Sequence, residues 1–510
     1  MGSFGRRTFM RNGLVAGGLA GLGDLSFLSL LRPLSATELT GQQIVRFRPE
    51  IEPLVELLEQ TPRADVLQVF ADRIQQGTSY QDVLATLLLA GVRNVQPRPS
   101  VGFKFHAVLV VNSAHLASLA SPESDRWLPI FWALDYFKSS QARDVREGNW
   151  TMPAVNAEKM PAPDQALSSF TEAMEQWNEE QVDPSVAALA RNMGANELFE
   201  QFAHYGIRDY RSIGHKAIFV ANSWRTLQCI GWQHSEPVLR SLAYALLNHT
   251  GEPNPSQSDL APDRPWRENL ERQQQIQADW LNGKPSDGAT RDLLATLRDG
   301  SPQDASEKVV ELLNNGISVG SIYDGIFAGA GELLMRQRGI VALHAMTTTN
   351  AMHYAFQTSA NPVTRQLTLL QNAAFLPMFR ESMRGRGNVG SAKIDQLSAA
   401  DPGAPEKAIE SIFDHVSNDR TKAAEEVLGY LDAGNSASDI IDGARRLIFL
   451  KGHDSHDYKF SSAALEDYYH ISPAWRNRYL AASVFNLKGT ADRDNQLTER
   501  TRSAFQKSSA

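Results

Sequence analysis

Apolar residues recur along the chain at three- and four-residue spacing, and strict apolar–polar alternation is scarce. That period gathers apolar side chains on one helix face, so the pattern predicts an all-α protein. Four amphipathic runs end at a glycine: Val66 to Gly77, Val186 to Gly194, Val309 to Gly316 and Val427 to Gly434. Glycine takes the left-handed backbone that closes a helix without steric cost, so each is read as a helix end. A histidine follows each one: His106, His215, His344 and His456, after 29, 21, 28 and 22 residues (106 − 77, 215 − 194, 344 − 316, 456 − 434). Long spacings alternate with short. A proline also stands shortly before an arginine in each unit, at Pro122/Arg126, Pro237/Arg240, Pro362/Arg365 and Pro473/Arg476. Proline suits the first position of a helix.

This alternation fits a duplicated pair of half-units. His106, Asn112 and His115 recur as His344, Asn350 and His353, each 238 residues on (344 − 106, 350 − 112, 353 − 115). His234-x-x-Pro237 recurs as His470-x-x-Pro473, and Gly214-His215 matches either Gly452-His453 or the neighbouring His456. Near-constant offsets point to a tandem duplication. The expected architecture is two pseudo-symmetric helical lobes, each of two related helical half-units. Residues 40–285 form the first lobe, 286–305 a linker, 306–487 the second lobe, and 488–510 a polar tail expected to fray. The linker rests on the turn chemistry of Lys-Pro-Ser-Asp-Gly and Asp-Gly-Ser-Pro.

Composition narrows the chemistry. With 42% hydrophobic and 21% charged residues the chain has a soluble globular profile. A net charge of −8 and the lack of a basic stripe give no footprint for nucleic acid. The single cysteine, Cys229, excludes intrachain disulfides, Cys-ligated clusters and Cys₄ zinc. Gly-Arg-Gly-Asn-Val-Gly at 385–390 follows a helical run and not a strand, which argues against a dinucleotide loop.

Arg6-Arg7-Thr8-Phe9-Met10-Arg11 resembles a twin-arginine export signal, and a weakly apolar stretch interrupted by Asp24 follows it. A membrane span needs about 20 strongly apolar residues, which this stretch does not supply. Residues 1–36 are therefore expected to be a signal peptide cut after Leu34-Ser35-Ala36. The resemblance implies the twin-arginine translocase as a partner and a periplasmic location. No stable span remains after cleavage, and an uncut signal leaves an anchored form. Cargo of this route crosses folded, often with a cofactor already loaded.

Of 12 histidines, eight occupy repeat-equivalent positions. His106 and His115, nine apart, lie half a turn apart on one helix and cannot chelate one ion together. Asn112 and His115 share a face, as do Asn350 and His353. Two arrangements remain open. In one, His106 and His344 meet across a pseudo-twofold axis, joined by His215 and His456, as acid–base groups or as a His₃ or His₄ site for a transition metal. In the other, the histidines are structural and His115 and His353 bond neighbouring helices. Arg240, Arg476, Asn112 and Asn350 are the candidates for holding a substrate's polar groups.

His344-Ala-Met-Thr347-Thr-Thr-Asn350-Ala351 resembles the C-terminal part of the questin-oxidase-like family, all-helical His-rich chains with a recurring His-x-x-Thr helix. The resemblance rests on His344 and Thr347; His106-Ala-Val-Leu109 lacks the threonine. It implies an oxidoreductase with an aromatic or polycyclic small-molecule substrate, and adds Thr347 to His344 and His106 as catalytic candidates. The alternative is a non-catalytic helical-repeat binding or scaffold protein. Replacing both Arg6 and Arg7 by Lys is expected to leave the protein in the cytoplasm, and an unchanged distribution on fractionation contradicts the export reading.

Overall fold

In the computed structural model, residues 44–97, 105–247, 253–254, 259–401 and 403–508 are described. The expected signal at 1–36 lies outside them. The first eleven helices are α1 (Glu52–Gln60), α2 (Val66–Gln75), α3 (Tyr80–Asn94), α4 (His106–Leu119), α5 (Leu128–Glu147), α6 (Ala166–Gln176), α7 (Glu179–Asn192), α8 (Ala195–Ile207), α9 (His215–Ile230), α10 (Ser235–Leu247) and α11 (Arg264–Gln273). The remainder are α12 (Asp287–Asp299), α13 (Pro302–Asn314), α14 (Val319–Arg336), α15 (Ile340–Thr358), α16 (Pro362–Arg384), α17 (Pro405–Asn418), α18 (Arg420–Asp432), α19 (Ala437–Lys451), α20 (Ser455–Asp467), α21 (Arg476–Ser483) and α22 (Gln496–Ser508). Among the described residues β-type pairing is confined to isolated bridges such as that between Lys284 and Ile317, so the fold is all-α. No described helix is long and apolar enough to cross a membrane.

Three of the four glycine ends behave as their position suggests. Gly77, Gly316 and Gly434 have φ of +101°, +72° and +86°. Gly194 instead lies at φ −69° and opens α8 as its N-cap, because α7 has already ended at Asn192.

Helix neighbours recur eleven helices apart. α4 packs on α5 and α15 on α16; α7 packs on α10 and α18 on α21. α11 lies against α13 and α16, while α22 lies against α2 and α5. The terminal helix of each half thus covers the other half, and Arg46–Ala510 is one compact unit with the halves interlocked.

Two expected boundaries are corrected. The linker at 286–305 holds α12, which buries Leu293, Leu294 and Leu297. Its turn chemistry is capping chemistry: Ser286 accepts from the Ala289 N–H to start α12, and Ser301 forms a capping box with Asp304 to start α13. The tail at 488–510 contains α22, which buries Thr498, Thr501 and Ala504. Small and polar side chains line that face, so its hydrophobic signal is weak, yet Phe505 packs on Phe131 with ring centroids 4.9 Å apart. Phe505→Ala is expected to lower stability by about 1–2 kcal/mol, as for a half-buried aromatic pair. Denaturant unfolding that leaves the midpoint unmoved contradicts the docking of α22.

Candidate metal centre in a ring of four helices

Helices α4, α9, α15 and α20 form a closed ring, each packing on the next and α20 on α4. They are buried on nearly every side, as befits helices at the centre of a large core. His106 and His215 are the first residues of α4 and α9, His344 is the fifth of α15, and His456 the second of α20. About two turns further on the same helices touch again: Asn112 Nδ2 donates to Asn222 Oδ1 at 3.4 Å, and Ser462 Oγ to the Ser113 carbonyl at 3.0 Å. Arg225 of α9 lies over the Tyr354 ring of α15, so the four helices run in the same direction, with their N-termini gathered around the histidines.

The imidazoles converge. Nε2 of His215 is 3.3 Å from Nε2 of His106 and 3.0 Å from Nε2 of His344. One nitrogen from each of these three rings lies within 4.8 Å of the other two. The His456 ring centroid is 4.8 Å from that of His106 and 5.3 Å from that of His344. His344 is fully buried and the other three nearly so.

Two tautomers follow from hydrogen bonding. His215 Nδ1 lies 2.5 Å from the Ser212 carbonyl, and His344 Nδ1 lies 2.6 Å from the Ile340 carbonyl. A carbonyl only accepts, so each Nδ1 carries the proton and each Nε2 a lone pair. Two lone pairs facing at 3.0 Å repel unless a cation lies between or beside them. Lys459 Nζ is one such cation, 3.4 Å from His215 Nε2 and 3.3 Å from His344 Nε2. A transition metal is another: Nδ1–H anchored on carbonyls is how metal-bound histidines are oriented, and His-only donors suit Zn²⁺, Cu or Fe²⁺. Ligand nitrogens at about 2.0–2.1 Å from one ion stand about 2.9–3.4 Å from one another, which the two Nε2 separations satisfy.

Electrostatics keep the His344 ring neutral. Burial, then the neighbouring His215, Lys459 and His456, hold the His344 pKa well below its usual value. The partial positive charge at four helix N-termini acts the same way. Burial brings Lys459 down to about 7. Burial works to raise the Asp454 carboxyl, but hydrogen bonds and charge from His456 outweigh it and hold it at about 2.

His215 is placed by an unusual turn. Ser212, Ile213 and Gly214 have φ of +53°, +49° and +78°, and a β-branched residue there is strained. A Cβ on Gly214 would lie 2.3 Å from Thr348 Oγ1 of α15, so glycine allows the α9 N-terminus to reach its neighbour.

Beyond the histidines the ring leaves a cavity of only about 10 Å³, room for about one water molecule, lined by Asn112, Asn222, Thr347, Asn350 and Lys459 among others. Its far end carries an ion pair, Arg225 to Glu466 at 2.9 Å, with Arg225 stacked 4.3 Å from the Tyr354 centroid. These partners stand at matching positions, ten residues past His215 and His456 (225 − 215, 466 − 456). Outside, a pocket of about 170 Å³ walled by Leu116, Ile448, Phe449 and Tyr469 shares Leu116 and Ser462 with the cavity and Glu466 with its ion pair.

The structure thus brings His106, His215, His344 and His456 together and places Asn112, Asn350 and Thr347 in the adjoining wall. His456, and not His453, is the partner of His215; His453 Nε2 instead meets the Arg493 carbonyl. Asn350 donates to Glu466 and Asp467, and Thr347 bonds back to the His344 carbonyl. The two arginines are corrections. Arg240 is buried in an ion pair with Asp183 and bonds the Pro153 carbonyl, because an enclosed guanidinium needs a carboxylate close by. Arg476 stacks on Tyr468, away from the cavity. His115 contacts Tyr80 Oη at 3.0 Å, and His353 packs among Tyr323, Phe327 and His470. Sequence reasoning missed Lys459, whose signal was its place three residues after His456, on the same face.

Burial, with His470 and Arg225 adding to it, lowers the His353 pKa to about 3 from an ordinary 6.5. The unfolded chain takes up this proton below pH 6.5 while the folded chain resists until about pH 3. Stability contributed by neutral His353 is complete above that window and falls with pH inside it, by up to about 1.4 kcal/mol per pH unit. His353→Gln is expected to make acid loss of stability shallower between these pH values. An identical slope contradicts the assignment. Comparison of the chain with known protein families, with curated proteins and with solved structures gives no match.

Proposed function

We propose that this chain is an exported, metal-dependent oxidoreductase whose ion is held by Nε2 atoms of His106, His215, His344 and His456. The observation that carries the reading is the meeting of three imidazole nitrogens within 4.8 Å, from three helices, in the buried core. The tautomers fixed by the Ser212 and Ile340 carbonyls support it, since they turn lone pairs toward a common point. The metal would supply the redox or Lewis-acid chemistry. Lys459 and Asn112 face the space beside it, Thr347 shapes that wall, and the ring excludes bulk water. The apolar-walled outer pocket suits an aromatic or polycyclic substrate, and the likeness of the His344–Ala351 segment to questin-oxidase-like proteins supports the reaction class. Export rests on Arg6 and Arg7, and the tandem origin on the residue offsets together with the recurring helix neighbours.

A second reading has an observation of its own. Lys459 already lies within reach of two Nε2 lone pairs, so the cluster could serve as a proton relay with no metal. Elemental analysis of the full chain, purified from the periplasm and compared with a chelated sample, separates the two. The metal reading predicts a stoichiometric ion, and His344→Ala is expected to weaken its binding at least about tenfold while helicity persists. A destabilised His344→Ala variant with unaltered metal content contradicts it.

A further inference from the structure

The outer pocket continues past Phe449 into a groove. Phe449 of α19 walls the pocket of about 170 Å³ and also a second one, of about 470 Å³, beside it. Leu116 and Ala117 of α4 close the first, while Leu119, Ala120 and Pro122, from the end of α4 and the turn after it, close the second. Among the described residues the two most exposed large apolar side chains are Tyr469, at 62%, and Leu119, at 60%, and they wall these two adjoining pockets. Exposed apolar groups scattered singly need no explanation, but two that border one concavity mark a binding surface.

The two compartments differ in chemistry. The first is mainly apolar, with Leu116, Ile448, Phe449 and the Tyr469 ring around it. Glu466 also reaches it, but that carboxylate is paired with Arg225 and accepts from Asn350. A cavity of about 150 Å³ with an apolar lining takes up benzene, so the first compartment matches one aromatic ring. The second is basic. Arg445 lines both pockets and Arg446 lines the second.

These guanidinium groups outnumber the carboxylates within their reach. Asp125 is taken by Arg502 at 3.3 Å. Asp442 stands 3.6 Å from Arg445, too far for a hydrogen bond, and is 68% exposed, so this ion pair is worth little. Arg446, exposed on the groove, has no ion-pair partner among the described residues. Burial draws the Arg445 pKa below its ordinary value even though Asp442 and Tyr469 act the other way, as for a guanidinium short of a partner. Arginine binds a carboxylate through charge-assisted and often paired hydrogen bonds.

We infer that the groove binds an aryl carboxylate, its ring between Leu116, Phe449 and Tyr469 and its carboxylate held by Arg445 and Arg446. Because Arg445 walls the ring compartment itself, the acid sits on a short arm from the ring. This deepens the proposed function, and rests on it only in taking the bound molecule as the substrate. Binding depends on residues of the groove alone and is measured with and without metal.

The test is calorimetric titration of the full chain, metal-free and metal-loaded, with 3-phenylpropionate and with 3-phenylpropanol, which keeps the ring and lacks the charge. The acid is expected to bind at one site, and the alcohol at least about tenfold more weakly, the worth of a hydrogen bond to a charged group. Arg445→Met should weaken the acid at least about tenfold, and Arg446→Gln, at an exposed position, about fivefold, with the alcohol spared by both. Tyr469→Ala should weaken acid and alcohol alike, by about threefold. The inference is overturned if the acid binds neither form, if it binds no more tightly than the alcohol, or if either arginine variant leaves its affinity unchanged. A Tyr469→Ala variant that binds both probes as before overturns the placement of the ring. Should Arg445→Met fail to melt cooperatively, Arg446→Gln decides. Metal content measured on the same samples keeps the outcomes apart: a chain that binds the acid but no metal refutes the metal centre alone, and one that binds metal but not the acid refutes the groove site alone.

Discussion

Two imidazole lone pairs, on His215 and His344, face each other at 3.0 Å in the core, held there by Nδ1–H bonds to the Ser212 and Ile340 carbonyls. Such a contact is unfavourable without a cation, and burial makes water a poor remedy. The structure around it is arranged to keep the contact. The strained turn at Ser212–Gly214 brings α9 close enough to α15, and Thr348 leaves no room for a side chain at Gly214. Lys459 reaches both nitrogens, and His106 and His456 complete the cluster from the other two helices.

The parallel course of the four central helices explains the size of the protein. Short loops join antiparallel neighbours, whereas helices that start at the same end need a return path. Four helices lie between α4 and α9, five between α9 and α15, and four between α15 and α20. These connecting helices return the chain to the histidine end and also wrap the ring, which is why the ring is buried on all sides. Gathering four N-termini has an electrostatic consequence: the positive potential there disfavours a protonated His344.

What could be read from the sequence was what recurs along it. The helical period, the half-unit glycines and the matched histidines are all periodic signals, and they led to the four rings that meet. Lys459 lies outside the recurring pattern. Its equivalent, three residues past His215, is Ile218, so comparison of the two halves discards it. Arg225 and Glu466 were missed for the same reason, since matching positions carry opposite charges that pair across the ring. Arg240 and Arg476 misled because recurring positions hold structural residues as well as reactive ones, and Asp183, the carboxylate that holds Arg240, comes from a helix 57 residues earlier. Helices α12 and α22 were hidden where capping residues and small side chains look like linker and tail.

The central claim is that imidazole nitrogens from the four ring helices bind one ion. X-ray absorption on the zinc-loaded full chain addresses it without reference to any substrate. A first shell of three or four nitrogens at about 2.0–2.1 Å, with the outer-shell scattering of imidazole rings, is the result this account predicts. A shell of oxygens lacking imidazole scattering, or the loss of zinc on simple dialysis, would contradict it.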